Sequence, residues 1–272
     1  EEGSFGDARR QRAVAQPALP SHSLGDEPRS GAEQRPARPD ALHRAAQRLR
    51  YAVFVDEMGA STPCRRPGIE EDMFDAWCEH LIVRDQASDE VVGTYRVLTP
   101  DQARRLGTYY AETEFDLTRL QLLRDDVCEV GRACIRADYR NGAVIGRLWQ
   151  GIALLMLERR YRFLIGCASM GMADGGAAAR LVADHVMPSH LAPIEYRVFP
   201  RSPLAAANPG GDAPQPDVAA LMPPLLRAYL RLGAWIGGEP AWDPEFNTAD
   251  FFVLLPLARV TARYARHFLR AA

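Results

Sequence analysis

Apolar and polar positions divide the chain into an unpatterned N-terminal stretch and a patterned remainder. After Asp40, residues Leu42, Ala45, Ala46, Leu49 and Val53 fall at i, i+3, i+4, i+7 spacing, which predicts a capped helix stopping near Gly59. Short β-rich runs at 80–84 and 91–98 flank a polar segment at 85–90, the pattern of a hairpin. Residues 101–106 read as a helical turn and 127–136 as a strand. In the helix that follows, Ile145, Leu148, Trp149, Ile152, Leu155 and Met156 share one face. Further on, the pattern predicts a strand at 163–168, a glycine-weakened helix at 174–186, a strand at 194–199, a helix at 223–234 and a strand at 251–255. A basic amphipathic helix runs from Pro256 onward.

This order predicts a mixed α/β sheet fold. The helical crossover between 127–136 and 163–168 requires those two strands to run parallel. Residues 1–39, rich in Arg, Ala, Pro, Ser and Gly with few large apolar side chains, are expected to form a disordered tail. A core over 40–201, a Pro-, Gly- and Ala-rich linker or loop at 202–216 and a C-terminal extension at 217–272 complete the expected organisation.

With 272 residues and 47% hydrophobic composition the chain can bury a substantial core. Its 33 basic and 35 acidic residues give a formal charge of −2, so no general attraction to nucleic acid is expected. The basic residues are all arginine. Five cysteines, Cys64, Cys78, Cys128, Cys134 and Cys167, form an odd set without a C-x-x-C pair, which argues against a disulfide framework or zinc ribbon and suits a reducing cytoplasm. His80 and His185 lack metal-ligand spacing partners, so no metal is expected. No apolar run approaches the ~18 residues of a membrane span. On the last helix Arg259, Arg263, Arg266 and Arg270 form a stripe suited to an anionic membrane surface or an acidic carrier protein, or equally to a solvated face.

The candidate chemistry lies at CEVGRACIRADYRNGAVIGRLW, residues 128–149, where a strand passes through a turn into a helix. A helix N-terminus has unpaired N–H groups and a positive dipole end, so Arg140, Asn141, Gly142, Ala143, Val144 and Ile145 are a candidate cradle for a phosphate. Glu129 and Arg132, three apart, would face opposite sides of a regular strand, but Gly131 between them suggests a bulge. Such a bulge would aim both side chains into one cleft and free a backbone N–H for a thioester oxyanion; the alternative is an ion pair on a sheet surface. In EEDMFDAW, Asp72 and Asp75 could grip a cationic side chain. Cradle, base and cation together suit acyl transfer from a phosphopantetheine carrier to an amine, with no permanently bound cofactor.

The blocks LRYAVFVDEMG, EEDMFDAWCEHLIV, VVGTYRVL, ETEFDL and CEVGRACI resemble those of the acyl-carrier-dependent GNAT acyltransferases, the branch that includes acyl-homoserine-lactone synthases. YRNGAVIGRLWQGI, IGCASM, YLRLGAWIGGEPAWDPEFNTADFFVLL and RYARHFL are similar to the L-ornithine N-alpha-acyltransferases of bacterial ornithine-lipid synthesis. The resemblance implies a GNAT-like fold with helices on both faces of the sheet, a 3-hydroxyacyl-acyl carrier protein as donor and L-ornithine as acceptor. It carries Arg50, Phe54, Asp72, Asp75, Arg96, Phe115, Glu129 and Arg132 over as site positions. From the cysteine usage and the arginine stripe, a cytoplasmic protein able to associate with the inner face of the membrane is expected. Turn RNGAVIG departs from the usual R-x-x-G-x-G loop, and a pantetheine arm with one phosphodiester asks less of it. A different amine acceptor, or a non-catalytic carrier- or lipid-binding module, is the competing reading.

Overall fold

A computed structural model describes residues 13–18 (backbone only), 41–62, 66–205 and 217–260. Inside the stretch expected to be disordered, Ala13–Ala18 forms β1, an edge strand antiparallel to β2 (Glu79–Asp85). That open edge offers unpaired backbone groups, and an edge position tolerates Pro17. The expected cap, Asp40, lies outside the described residues. The helix after it begins as α1 (Ala41–Arg50), widens into a π-helical stretch over Tyr51–Glu57 and is followed by Gly59 at φ +73°.

The expected hairpin is β2 with β3 (Val91–Leu98). α2 (Pro100–Leu106) is capped by Thr99 and Gln102, and a one-turn 3₁₀ helix at Tyr110–Thr113 leads into β4 (Phe115–Asp116). Then come β5 (Val127–Ile135), α3 (Ala143–Glu158), β6 (Phe163–Gly171) and α4 (Ala177–His190). Residues 194–199 are not the strand expected of them: Ile194–Tyr196 is a 3₁₀ turn, and only Phe199–Pro200 pairs, as β7 with β4. Within it Val198 is buried and Tyr196 stacks on Trp235 at 5.6 Å, while Ile194 and Phe199 stay exposed, so the segment lacks the continuous buried face of a sheet strand. α5 (Val218–Leu221), α6 (Pro224–Leu232), β8 (Trp235–Ile236), β9 (Ala241–Asp243) and β10 (Thr248–Pro256) follow. Only the 3₁₀ turn Leu257–Arg259 is described of the expected basic helix; Arg263, Arg266 and Arg270 lie outside the described residues.

Among the described residues eight strands form one mixed sheet in the order β1-β2-β3-β5-β6-β10-β8, with β9 on β10. Helices α3, α4 and α6 cover one face over Leu81, Val83, Val130, Phe251 and Val253. The opposite face carries α1 and the 3₁₀ segments over Val127, Ile165, Phe252 and Leu254. β10 is buried throughout, which explains its unbroken apolar run. Among the described residues no helix is long and apolar enough to cross a membrane.

As the crossover requires, β5 and β6 are parallel, but they pair only between Val127–Glu129 and Phe163–Ile165. Beyond that point β5 stays on β3 while β6 follows β10, and a wedge opens between them. Gly166 sits at the parting: a Cβ there would lie 2.5 Å from the Val130 carbonyl oxygen.

Candidate active site

The wedge holds a cavity of about 570 Å³, within the size range of small-molecule sites. Its apolar wall comes from Val53 and Phe54 of the π-helical stretch, Ile145 of α3 and Leu225 and Ala228 of α6. α6 is held in place by a Tyr95–Tyr229 hydroxyl hydrogen bond of 2.7 Å.

Glu129 stands where the strands separate, 4% exposed and lining the cavity. Its carboxylate accepts the backbone N–H of Tyr110 at Oε2 and of Ala111 at Oε1, both at 2.7 Å. Burial pushes Glu129 up to about 7 against these two hydrogen bonds, so it exchanges a proton near neutral pH. The bulge expected at Gly131 is present on β5, but the unusual backbone belongs to its neighbour. Thr94 pairs with Cys134 and Arg96 with Gly131, so Arg132 and Ala133 together oppose Tyr95. Arg132 takes φ +54°, a left-handed conformation rare for a side-chain-bearing residue. It is stacked between the rings of Tyr110 (4.7 Å) and Phe246 (4.5 Å).

Arg132 belongs to a buried network that closes on itself. Its Nε donates to Glu70 and its Nη2 to Asp72, both at 3.1 Å. Arg96 donates to Asp72 (2.6 Å) and Asp75 (3.2 Å), while Arg50 forks onto Asp75 (2.8 and 2.5 Å) and pairs with Glu70. Burial alone would raise the Asp75 carboxyl, but Arg50 and Arg96 hold it well below the ordinary range; Asp72 is likewise lowered, by Arg96 and Arg132. Arg96, Arg132 and Phe54 line the cavity; Arg50, Asp72, Asp75 and Phe115 do not. Asp72 and Asp75 are therefore consumed by arginines rather than presented to a substrate. Phe115 packs in the core against Phe252, ring centroids 5.6 Å apart.

The expected phosphate cradle is only partly open to the cavity. Gly142 (φ +92°) precedes α3, and Arg140, Gly142 and Ile145 line the cavity. Arg140 is forked onto Glu57 at 2.5 and 2.7 Å on the surface. Asn141 and Ala143 turn to each other, the Asn141 side chain accepting the Ala143 N–H at 3.1 Å. Val144 points into the core, where a Cβ on Gly93 would meet it at 2.3 Å. Arg259 is held within the structure: its Nε donates to the Gly233 carbonyl at 2.8 Å and its guanidinium lies over Trp235.

A second acidic group escaped the sequence reading. Asp243, Asp250, Cys167 and Thr248 line the far side of the cavity, and Glu114 stands beside them. Ligand atoms of Glu114, Cys167 and Asp250 lie within 4.8 Å of one another. Asp250 accepts the Thr248 hydroxyl at 2.9 Å, and Tyr110 lies 3.4 Å from Asp243. The sequence carries two signals of it: an aspartate near the head of the apolar run TADFFVLL, and the second glutamate of ETEFDL.

A mixed sheet that splits between two parallel strands, with a buried carboxyl at the split, is the architecture of the GNAT acyltransferase class. Residues 49–150 match the acetyltransferase (GNAT) domain family. Among solved structures the chain is similar to the acyl-homoserine lactone synthase LasI, at 13% identity and TM-score 0.50, covering 96% of each chain. It is also similar to the CoA-dependent acyl-homoserine lactone synthase BjaI, at 14% identity and TM-score 0.50, covering 85% of this chain and 81% of that one. These likenesses concern the fold. Similarity to curated relatives goes further. The L-ornithine N(alpha)-acyltransferase of Rhodobacter capsulatus is 34% identical over 84% of this chain and 90% of its own length. That of Brucella abortus is 35% identical over 87% and 88%. The chain belongs to the L-ornithine N(alpha)-acyltransferase family, and it is an enzyme of the acyltransferase type.

Proposed function

We propose that this enzyme transfers a 3-hydroxyacyl group from acyl carrier protein to the α-amino group of L-ornithine, giving lyso-ornithine lipid. The observation that carries the reading is Glu129: a buried carboxyl at the mouth of the wedge, oriented by two backbone N–H groups and titrating near neutrality. Each carboxylate oxygen retains a second lone pair for the acceptor amine or a bridging water. An α-ammonium titrates near 8, so a base of this strength removes its proton at physiological pH. The amine nitrogen then attacks the thioester carbonyl. Its oxyanion is stabilised by an N–H freed in the bulge at Gly131, Arg132 and Ala133. The C–N bond forms, the C–S bond breaks, and the departing pantetheine thiolate takes the remaining proton from nitrogen.

Arg96 and Arg132 orient the acceptor carboxylate at the cavity wall, and the apolar wall with Phe54 receives the acyl tail. The carrier's phosphodiester lies against Arg140, Gly142 and the start of α3, displacing the exposed Glu57 from its fork. Carrier protein as donor, and contact of Arg263, Arg266 and Arg270 with an anionic membrane surface, rest on the family resemblance and the charge pattern of the chain.

The test is mass spectrometry of products after mixing the purified chain with 3-hydroxyacyl-carrier protein and a pool of amino acids. An Nα-acyl-ornithine peak is expected. Acylation of another amine alone, or mere thioester hydrolysis, would overturn the reading.

A further inference from the structure

Glu114, Asp243 and Asp250 form a carboxyl cluster that the proposed chemistry leaves without a task. Glu114 is 8% exposed, and neither of its carboxylate oxygens meets a cation or a well-aligned donor among the described residues; its near neighbours are Asp250 and the Tyr110 hydroxyl. Asp250 is 3% and Asp243 6% exposed. No arginine or histidine comes within ion-pair distance of any of the three among the described residues. A buried carboxylate without a counter-charge is costly, and the cost is relieved when a cation enters.

The cluster is tied to the reaction centre by the same short element. The 3₁₀ turn Tyr110–Thr113 gives its first N–H groups to Glu129 and is followed at once by Glu114. Across the sheet, Ile165 pairs with Glu129, and Cys167 and Ser169 follow on the same face, with Ser169 beside Asp250 in the β6–β10 ladder. Strand rise and spacing put the backbones of Glu129 and Cys167 about 8 Å apart. That separation suits a short aliphatic chain with an amino group at either end.

We infer that Glu114, Asp243 and Asp250 form the subsite for the side-chain ammonium of the acceptor amino acid and so present its α-amino group to Glu129. This rests on the acceptor reading above and assigns its specificity. Burial, Asp250 and Asp243 push Glu114 up to about 10, so before substrate arrives it is a neutral acid; the incoming ammonium favours its ionisation, and the proton is released to solvent. The Cys167 thiol, raised well above its ordinary range by burial and these acids, stays uncharged and contributes no competing anion.

The experiment compares L-ornithine with L-norvaline, which has the same carbon chain and no side-chain amine, as acceptors for the wild type, Glu114→Gln and Asp250→Asn. The wild type should prefer ornithine, and each variant should lose ~30-fold or more of that preference, mainly through a higher KM for ornithine. A preference for ornithine that survives in both variants would overturn the subsite while leaving the acceptor reading intact. A wild type that acylates some other amine and never ornithine would overturn the acceptor reading itself. A wild type inactivated by a chelator and restored by Zn²⁺ or Mg²⁺ would give the cluster to a metal and overturn the inference. Thermal unfolding serves as the folding control. Glu114→Gln, isosteric with the neutral acid, is expected to melt no lower than the wild type, whereas a structural role alone would lower it and leave the acceptor preference unmoved.

Discussion

Glu70, Asp72 and Asp75 are met charge for charge by Arg50, Arg96 and Arg132, whereas Glu114, Asp243 and Asp250 have no such counter-charges among the described residues. Both sets are largely buried, and both lie near Tyr110 and Glu129. The first is balanced in charge within itself and braces the wedge, fixing the bulge at Arg132 and joining α1 to β3 and β5, while Arg96 and Arg132 keep a face on the cavity. The second is incomplete, and its Asp243 and Asp250 line the cavity. Acidity alone therefore says little about function in this fold; what matters is whether the protein supplies the cation itself.

The difference can be broken from either side. Arg50→Ala should have the largest effect on stability, because it strands Glu70 and Asp75 in the interior. A loss of ~3–5 kcal/mol is expected in urea unfolding. A loss below ~1 kcal/mol would show that the network does not brace the fold.

The two sets should also respond to pH with opposite sign. Asp75, whose carboxyl is lowered, contributes stability that is present above its unfolded value of about 4 and is lost as pH falls. Glu114, whose carboxyl is raised to about 10, favours folding most below its unfolded value. That contribution is lost as pH rises toward 10, by at most ~1.4 kcal/mol per pH unit. Urea unfolding at pH 5, 7 and 9 should show this decline in the wild type and a flatter profile in Glu114→Gln. Equal slopes in the two proteins would contradict the assignment.

An exposed pair supplies the control and the smallest effect. Glu57 and Arg140 are each 42% exposed, and Glu57→Ala should change stability by less than ~0.5 kcal/mol. Freed of its internal partner, Arg140 should bind the carrier more tightly and with a steeper salt dependence, measured by titration at two ionic strengths.

Much of this architecture was legible because its signals are local. The run 91–98 is rich in β-branched and aromatic residues and follows a polar turn, and it is β3 at those limits. The crossover through α3 carries its own periodicity and dictates the parallel pairing of β5 with β6. Glu129 beside a glycine in a strand pointed to the wedge, although the strained backbone moved one residue on, to Arg132. Asp72 and Asp75 misled because their partners, Arg50, Arg96 and Arg132, are 21 to 60 residues away among the bonds they form, and an acidic run does not reveal what folds onto it. Glu114 and Asp250 went unseen for the same reason: the β10–β6 pairing and the fold of the Tyr110–Thr113 turn onto Glu129 bring them together.

The role of Glu129 as base is tested most directly by kcat for acyl transfer to saturating L-ornithine from pH 5.5 to 9, in the wild type and Glu129→Gln. The wild type should rise through an apparent pKa near 7, and the variant should be slower by ~100-fold or more and lack that limb. The same limb in both proteins, at similar rates, would contradict the account.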